Sequence, residues 1–491
     1  MPALLAALPI AVVLLAMAVL HWRAALAGAA GLGVALGVIW GASGIGGSSH
    51  LLAGAAAEAA SSTATILWII LPALAIYELQ ARVGALDRVR QALTQISDDR
   101  AVQALLIAWF FGLFIEGAAG FGTPAALAAP LLVGLGFAPV RAVALALLGH
   151  AGGVSFGAVG TPALAQIEML GLPARDLAGW TVLLHAIPMA FLALAVMRLA
   201  TDAPLSRRHV GLALLAALCF LLPALALAWL AGPELPTLGG ALIGGAAFVA
   251  FIRWRYPKAQ ESEARWQLAD LAPYLLILAL VLLTRMIPPV QSLLSGLWIG
   301  WQWSEYSGGI APLYHPGTLL MLGLVSAALL TGRGAVLWPS LGAALRRLAP
   351  VALALLAMLA LARLMVHGGL IGQLAEAAAQ AGMFWPLLAP FVGVLGTFVS
   401  GSATASNILF TEFQAATAQA LELPVTLMAA AQAVGSAIGN AIAPHNIIAG
   451  AATVGLSGRD GEVLARTLVP VLLYTIGAGG IVAVLVMHSW R

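Results

Sequence analysis

The chain is short of nearly everything that keeps a protein soluble. Charged residues make up 8% of its 491 residues, against roughly a quarter in soluble domains. Its 22 basic residues include a single lysine, Lys258, and are scattered over connecting segments. No basic face is therefore available to nucleic acid. Cys219 is the only cysteine and sits in the apolar run Leu212–Leu230, which excludes disulfides and cysteine-based metal sites. No cofactor or metal is expected. A Walker A loop is missing, as are a His-Glu-x-x-His pair and a nucleophile elbow in a usable setting. ATP drive within the chain and enzymatic catalysis are thereby disfavoured.

What is present is apolar sequence, 62% of the chain, in runs of membrane-spanning length. Each crossing needs about 20 residues. The opening run Pro2–Leu20 has no basic flank before it and no small-residue cleavage site, so it reads as a first membrane helix. The expectation is an all-α polytopic membrane protein of about twelve to fourteen spanning elements, with spans that include 62–81, 139–158 and 350–366. Arginines collect in 82–100 and, with Lys258, in 253–270. None occurs in Ser43–Ser61, Gln291–Gly317 or Gly368–Met383. The positive-inside rule sends the first group to the cytoplasm and the second outside.

Two stretches about 285 residues apart break this apolar pattern at membrane depth: Glu116-Gly117-Ala118-Ala119-Gly120-Phe121-Gly122-Thr123-Pro124 and Ser400-Gly401-Ser402-Ala403-Thr404-Ala405-Ser406-Asn407. Irregular backbone survives in lipid only when protein or a cavity surrounds it. A matched pair of breaks, one per half, points to a transporter's substrate site. The helix entering Glu116 runs outward and the helix entering Ser400 runs inward. Gly117 precedes Pro139 by 22 residues, and Gly401 precedes Pro424 by 23. The helices these prolines open read as ending at Gly160-Thr161-Pro162 and at Ala443-Pro444. Shared layout with opposite direction predicts an inverted repeat, with re-entrant hairpins near 116–136 and 400–422. The chain then divides into N-terminal membrane helices (1–100), a first repeat core (101–177), scaffold helices with connecting loops (178–349) and a second repeat core (350–491).

Glu116 is the outstanding candidate. A carboxylate at this depth costs about 2.5–3.5 kcal/mol even on the lenient insertion scale. Burial disfavours its ionised form and so suits a proton carrier, although a carboxylate bracing the glycine loop is the plainer alternative. Exposed N–H groups at half-helix starts attract anions. This makes Gly117, Ala118, Gly120 and Gly122 candidate substrate contacts, with Ser402, Thr404, Ser406 and Asn407 opposite. Glu412, His150 and His445 are further candidates for coupling, the two histidines being read as occupying corresponding helices. His185 and Glu78 read as interhelical hydrogen-bonding residues. Arg141, Arg285 and Arg363 read as snorkelling to headgroups.

At these residues the chain resembles the L-lactate permease family. The similarity is carried by Phe114–Pro124, Leu131–Phe137, Val154–Gly160, Gly401–Gln414 and Val454-Gly455-Leu456. The resemblance implies proton-coupled uptake of a 2-hydroxy monocarboxylate (lactate or glycolate) across the bacterial inner membrane. It also implies kinship with the ion-transporter superfamily, whose members pair inverted repeats with re-entrant hairpins, several of them working as homodimers by an elevator motion. The partners so implied are a small organic anion, the bilayer and a second copy. Two departures stand out. Ala403 occupies the family's Asp position, and Asn440 replaces the lysine of its Gly-Lys pair, ahead of Ala443-Pro444-His445. An acid and a base are lost together, as if an ion pair had been removed as a unit, with Glu412 and His445 as candidate replacements. Sodium coupling, another organic anion and a passive anion channel are the alternatives. A subunit of a redox complex is disfavoured by the lack of lysine within the spans.

Overall fold

In lipid every backbone polar group needs an internal partner, so apolar runs of this length fold as helices. The structure, a computed structural model, describes residues 2–20, 22–43, 48–120, 122–256, 267–456 and 458–489. Among them, eleven helices are long and apolar enough to cross a membrane, or twelve with the bent pair Pro139–Ala151 and Val154–Leu170. Helices α1 (Pro2–Ala18) and α2 (Ala24–Ser43) precede a series of elements that occurs twice in one order. In its first occurrence, α3 (Ser48–Arg82) leads to α4 (Ala85–Thr94). Next come α5 (Arg100–Ala104), a π-helical stretch (Leu105–Phe111) and α6 (Gly112–Ala118). Then follow α7 (Thr123–Gly134), α8 (Pro139–Ala151), α9 (Gly157–Leu170) and α10 (Ala174–Ala200).

Between the two occurrences lie α11 (Arg207–Ala231), α12 (Pro236–Arg255), α13 (Leu268–Met286), α14 (Pro288–Ser295), strands β1 (Ile299–Trp303) and β2 (Tyr306–Ile310), and α15 (Pro316–Leu330). The second occurrence is α16 (Gly334–His367), α17 (Leu370–Ala379), α18 (Trp385–Ser400), α19 (Ala403–Ala420), α20 (Val425–Gly439), α21 (Pro444–Ala452) and α22 (Asp460–Ser489). The first two partner pairs match in length: 35 and 34 residues for α3 and α16, and 10 each for α4 and α17. Both short helices start after a left-handed glycine, Gly84 at φ 70° and Gly369 at φ 74°. That conformation turns the chain sharply at no steric cost to glycine.

Several boundaries depart from the sequence reading. The span expected at 62–81 begins at Ser48, so most of the arginine-free stretch 43–61 is helical, and it carries Glu58. Small residues there let strands β1 and β2 pack close, with Gly54 directly beneath the Tyr306 ring. Likewise the span expected at 350–366 begins at Gly334. The arginine-free segment 368–383 contains α17. The expected all-α architecture holds except for the antiparallel β1–β2 ribbon, which pairs Trp303 with Tyr306 at its turn. Of the expected cytoplasmic loop 253–270, residues 257–266 lie outside the described part.

The long helices α3 and α16 pack along one another, and α2 packs against α16. Asp270 at the start of α13 receives Arg88 at 2.5 Å and Arg333 at 2.7 Å, joining α4 and the α15–α16 turn. The two series meet through buried hydrogen bonds. Gln166 Nε2 donates to Thr411 Oγ1 (3.0 Å) and to the Ala429 carbonyl (2.9 Å). Ser155 Oγ donates to the Ala433 carbonyl at 2.9 Å. His185 contacts Tyr474 Oη at 2.5 Å and Ser155 Oγ at 2.9 Å, the interhelical role expected of it. Unmade, such buried bonds would each cost about 1–3 kcal/mol, so they fix the packing of α8–α9 against α19–α20.

Candidate functional site

Each broken segment folds as a hairpin. The first returns at its far end, where Arg100 donates to the Gly136 carbonyl. Its tip passes through left-handed Gly120 (φ 57°) and Gly122 (φ 77°) before α7 starts at Thr123-Pro124. In the second, α19 runs back along α18, with Ser406 Oγ donating to the Gly393 carbonyl (2.9 Å) and Gln414 Nε2 to the Ala389 carbonyl (2.9 Å). Its tip is left-handed Gly401 (φ 69°), after which Ser402 caps α19 by accepting the Ala405 N–H.

The helix after each hairpin is broken as well. The sequence reading ran one span over 139–158 and took Gly160-Thr161-Pro162 as its end. Instead α8 stops at Ala151, and Gly160-Thr161-Pro162 restarts the chain as α9, bent by 59° from the helix before it. Ala158 (φ 44°) and Val159 (φ 54°) hold left-handed backbone beside Gly160 (φ 86°). Such a conformation costs of order 1–3 kcal/mol per non-glycine residue and clusters at functional sites. The same happens at Ala443-Pro444, where α21 begins rather than a helix ending.

These breaks converge. A cavity of about 440 Å³ is lined by Gly120, Gly122 and Thr123 at the start of α7, and by Ala158, Thr161 and Pro162 at the start of α9. Gly401, Ser402, Ala403 and Thr404 line it at the start of α19, and His445 and Asn446 at the start of α21. Four helix N-termini thus face one space, each carrying unpaired N–H groups and about half a positive charge. Asn446 Nδ2 donates to the Gly401 carbonyl (3.3 Å) and the Asn440 carbonyl (3.2 Å), tying α21 to the second hairpin tip.

Glu116 is buried on the cavity wall, its carboxylate against Gly157 and Gly120. His150 Nδ1 donates to the Ala146 carbonyl at 2.7 Å. Its Nε2 makes no hydrogen bond, lies 3.8 Å from Glu116 Oε2, and has the Asn440 side chain beside it. With Nδ1 carrying the proton, Nε2 presents a lone pair toward Glu116. His150 closes α8 whereas His445 opens α21, so the two do not occupy matching helices as expected.

Apart from Glu412, the other expected site residues separate into two groups. Gly120, Gly122, Ser402, Thr404 and His445 line the cavity. Gly117, Ala118, Ser406 and Asn407 are buried behind it. Gly117 lets the Leu238 backbone approach, Ser406 is used within its own hairpin, and Asn407 Nδ2 donates to the Pro162 carbonyl at 3.1 Å. Glu412 does not line the cavity and pairs with Arg363 at 3.2 Å. Arg363 also approaches Glu58 (3.7 Å), which His367 meets at 2.8 Å.

The reading of Arg285 and Arg363 as snorkelling to headgroups is corrected. Arg285 is buried, paired with Glu234 at 2.6 Å and stacked on Tyr314, because a buried guanidinium needs a counter-charge. Arg141 pairs with Asp202 at 2.5 Å, and Glu78 with Arg347 at 2.8 Å. Sequence reasoning missed Thr123, Thr161 and Asn446. The signal was available, since Gly-Thr-Pro occurs at both 122–124 and 160–162 and proline favours the first turn of a helix.

A helical bundle of this kind, with paired hairpins and broken helices around a central cavity, defines a multi-pass membrane transporter rather than an enzyme. The sequence profile of the L-lactate permeases matches residues 2–307 and 309–489, and the chain belongs to that family. The L-lactate permease of Bacillus subtilis is 29% identical over 532 residues, covering 95% of this chain and 92% of that protein. The glycolate permease GlcA of Escherichia coli K12 is 28% identical over 467 residues, covering 83% and 82%. The YdaH transporter of Alcanivorax borkumensis is 15% identical with a TM-score of 0.49, over 89% of this chain and 88% of that one. The protein is a multi-pass plasma-membrane permease for a small organic anion.

Proposed function

We propose that the permease imports a small 2-hydroxy monocarboxylate, of the lactate and glycolate kind, in symport with a proton. One observation carries the reading: four helix N-termini and a single buried acid, Glu116, share one cavity. The helix ends attract a carboxylate through their N–H groups and partial charge. The cavity-lining side chains of Ser402, Thr404 and Asn446 are the candidates for the adjacent 2-hydroxyl. Relatives named as L-lactate and glycolate permeases support this substrate class.

In this reading Glu116 binds the coupled proton and His150 Nε2 accepts a hydrogen bond from the protonated acid. Anion plus proton then cross as a neutral load, which lowers the barrier that lipid sets against charge. The hairpin tips gate the cavity alternately, the two series acting as inverted repeats within a homodimer. Counterflow of labelled L-lactate and glycolate into proteoliposomes, under an imposed proton or sodium gradient, tests the proposal. The expected result is accumulation driven by protons alone. Accumulation that needs sodium, or flux without accumulation, would overturn it.

A further inference from the structure

Away from the central cavity, an apolar groove of about 450 Å³ lies between α4, the span leading to Glu116, and α12. Val89 and Leu93 of α4, with Ile96 just after it, form one wall, and Phe110, Phe111 and Phe114 form the floor. On α12, Gly245 lies against the Phe110 ring, and exposed Ala246 and Ala250 keep the side of the groove open. A volume of this size accommodates one ligand-sized molecule. The lining contains one charged side chain, Arg253. It is exposed and has no ion pair or hydrogen bond among the described residues. Trp254 beside it is 77% exposed, and Arg255 follows. Exposed tryptophan with arginine marks a membrane interface, and this is the arginine-rich end of α12 that charge assigns to the cytoplasm.

We infer that the groove binds an anionic phospholipid of the inner leaflet, with one acyl chain along the phenylalanine floor and the headgroup phosphate on Arg253. A groove open sideways at membrane depth meets lipid chains before anything else. A lone cation at its mouth selects an anionic head over a neutral one, and anionic lipid is a feature of the cytoplasmic leaflet. The floor residues precede Glu116 on the same span, so the bound chain braces the segment from which the first hairpin springs.

Native mass spectrometry of the full-length protein in mild detergent, with phosphatidylglycerol or phosphatidylethanolamine added, tests the assignment without reference to transport. The wild type should retain one phosphatidylglycerol per chain in preference to phosphatidylethanolamine. Arg253→Gln should lower that preference about fivefold, the worth of one interfacial arginine. Ala246→Trp and Val89→Trp, which fill the groove from opposite walls, should lose the lipid while keeping wild-type helical content. Wild-type lipid retention in both tryptophan variants, or no preference in the wild type, would overturn the inference. Conversion of dimers to monomers by Ala246→Trp with unchanged lipid count would instead make the groove an interface between copies, and the inference would fail.

Discussion

Gly157 and Glu116 are in direct contact: a β-carbon at position 157 would overlap Glu116 Oε1. The acid therefore rests in a space that only glycine leaves open, on the wall of the central cavity. Gly157→Ala should push the carboxylate aside without adding or removing charge. Overpacking of this size costs about 1–3 kcal/mol, so substrate-driven uptake should fall about tenfold or more. Unchanged uptake by a folded Gly157→Ala variant would show that the position of Glu116 does not matter.

Glu116→Gln keeps size and hydrogen bonding but abolishes ionisation. Proton-driven accumulation of lactate should end, while exchange of internal for external substrate persists, because a permanently neutral site can still carry a bound anion. Both are read in the same proteoliposomes. Normal accumulation by this variant would assign Glu116 a structural role.

Asn407 and Thr404 should separate by readout. Asn407 bridges the two series through the Pro162 carbonyl, so Asn407→Ala leaves a buried acceptor unpaired. It should lower the thermal midpoint by an amount corresponding to about 1–3 kcal/mol and alter apparent affinity little. Thr404 faces the cavity, and Thr404→Ala should raise the apparent KM with little change in midpoint. The reverse pattern would place substrate behind the hairpin rather than at its tip.

Ala403 and Asn440 both line the cavity, which brings into one space the two positions that the resemblance reads as a lost acid and a lost base. Ala403→Asp alone adds a negative charge where an anion binds and should weaken uptake. Adding Asn440→Lys should recover much of the loss, a coupling of about 0.5–3 kcal/mol in a double-mutant cycle. Additive effects would mean that the two positions do not act as a pair.

Arg363 joins α16 to Glu412 of the second hairpin and to Glu58 of α3. Arg363→Gln leaves both carboxylates without that partner and should destabilise by up to about 3 kcal/mol. Combining it with Glu412→Gln should restore part of the stability, measured by thermal unfolding in detergent. If the double variant is less stable than the single, the network does not depend on that pair.

The sequence by itself determined that this is a polytopic helical protein, because lipid leaves apolar runs one way to satisfy their backbone. It also located both hairpins within a few residues, since glycine, serine and threonine inside such runs have no other physical use so dense. It could not assign facing. Gly117 and Gly120, or Thr404 and Asn407, are alike in composition and neighbours in sequence, and only the rotation of α6 and α19 decides which of them turns to the cavity. The breaks at Gly160 and Ala443 read as helix ends because proline is ambiguous between stopping one helix and starting the next. Tertiary structure resolved that ambiguity by bringing α9 and α21 onto the same space as the hairpin tips. The pairing of Arg363 with Glu412 and of Arg285 with Glu234, each across 49 or 51 residues, was likewise decided by packing alone. A buried charge takes whichever counter-charge the fold brings within reach, and separation along the chain carries no record of that choice.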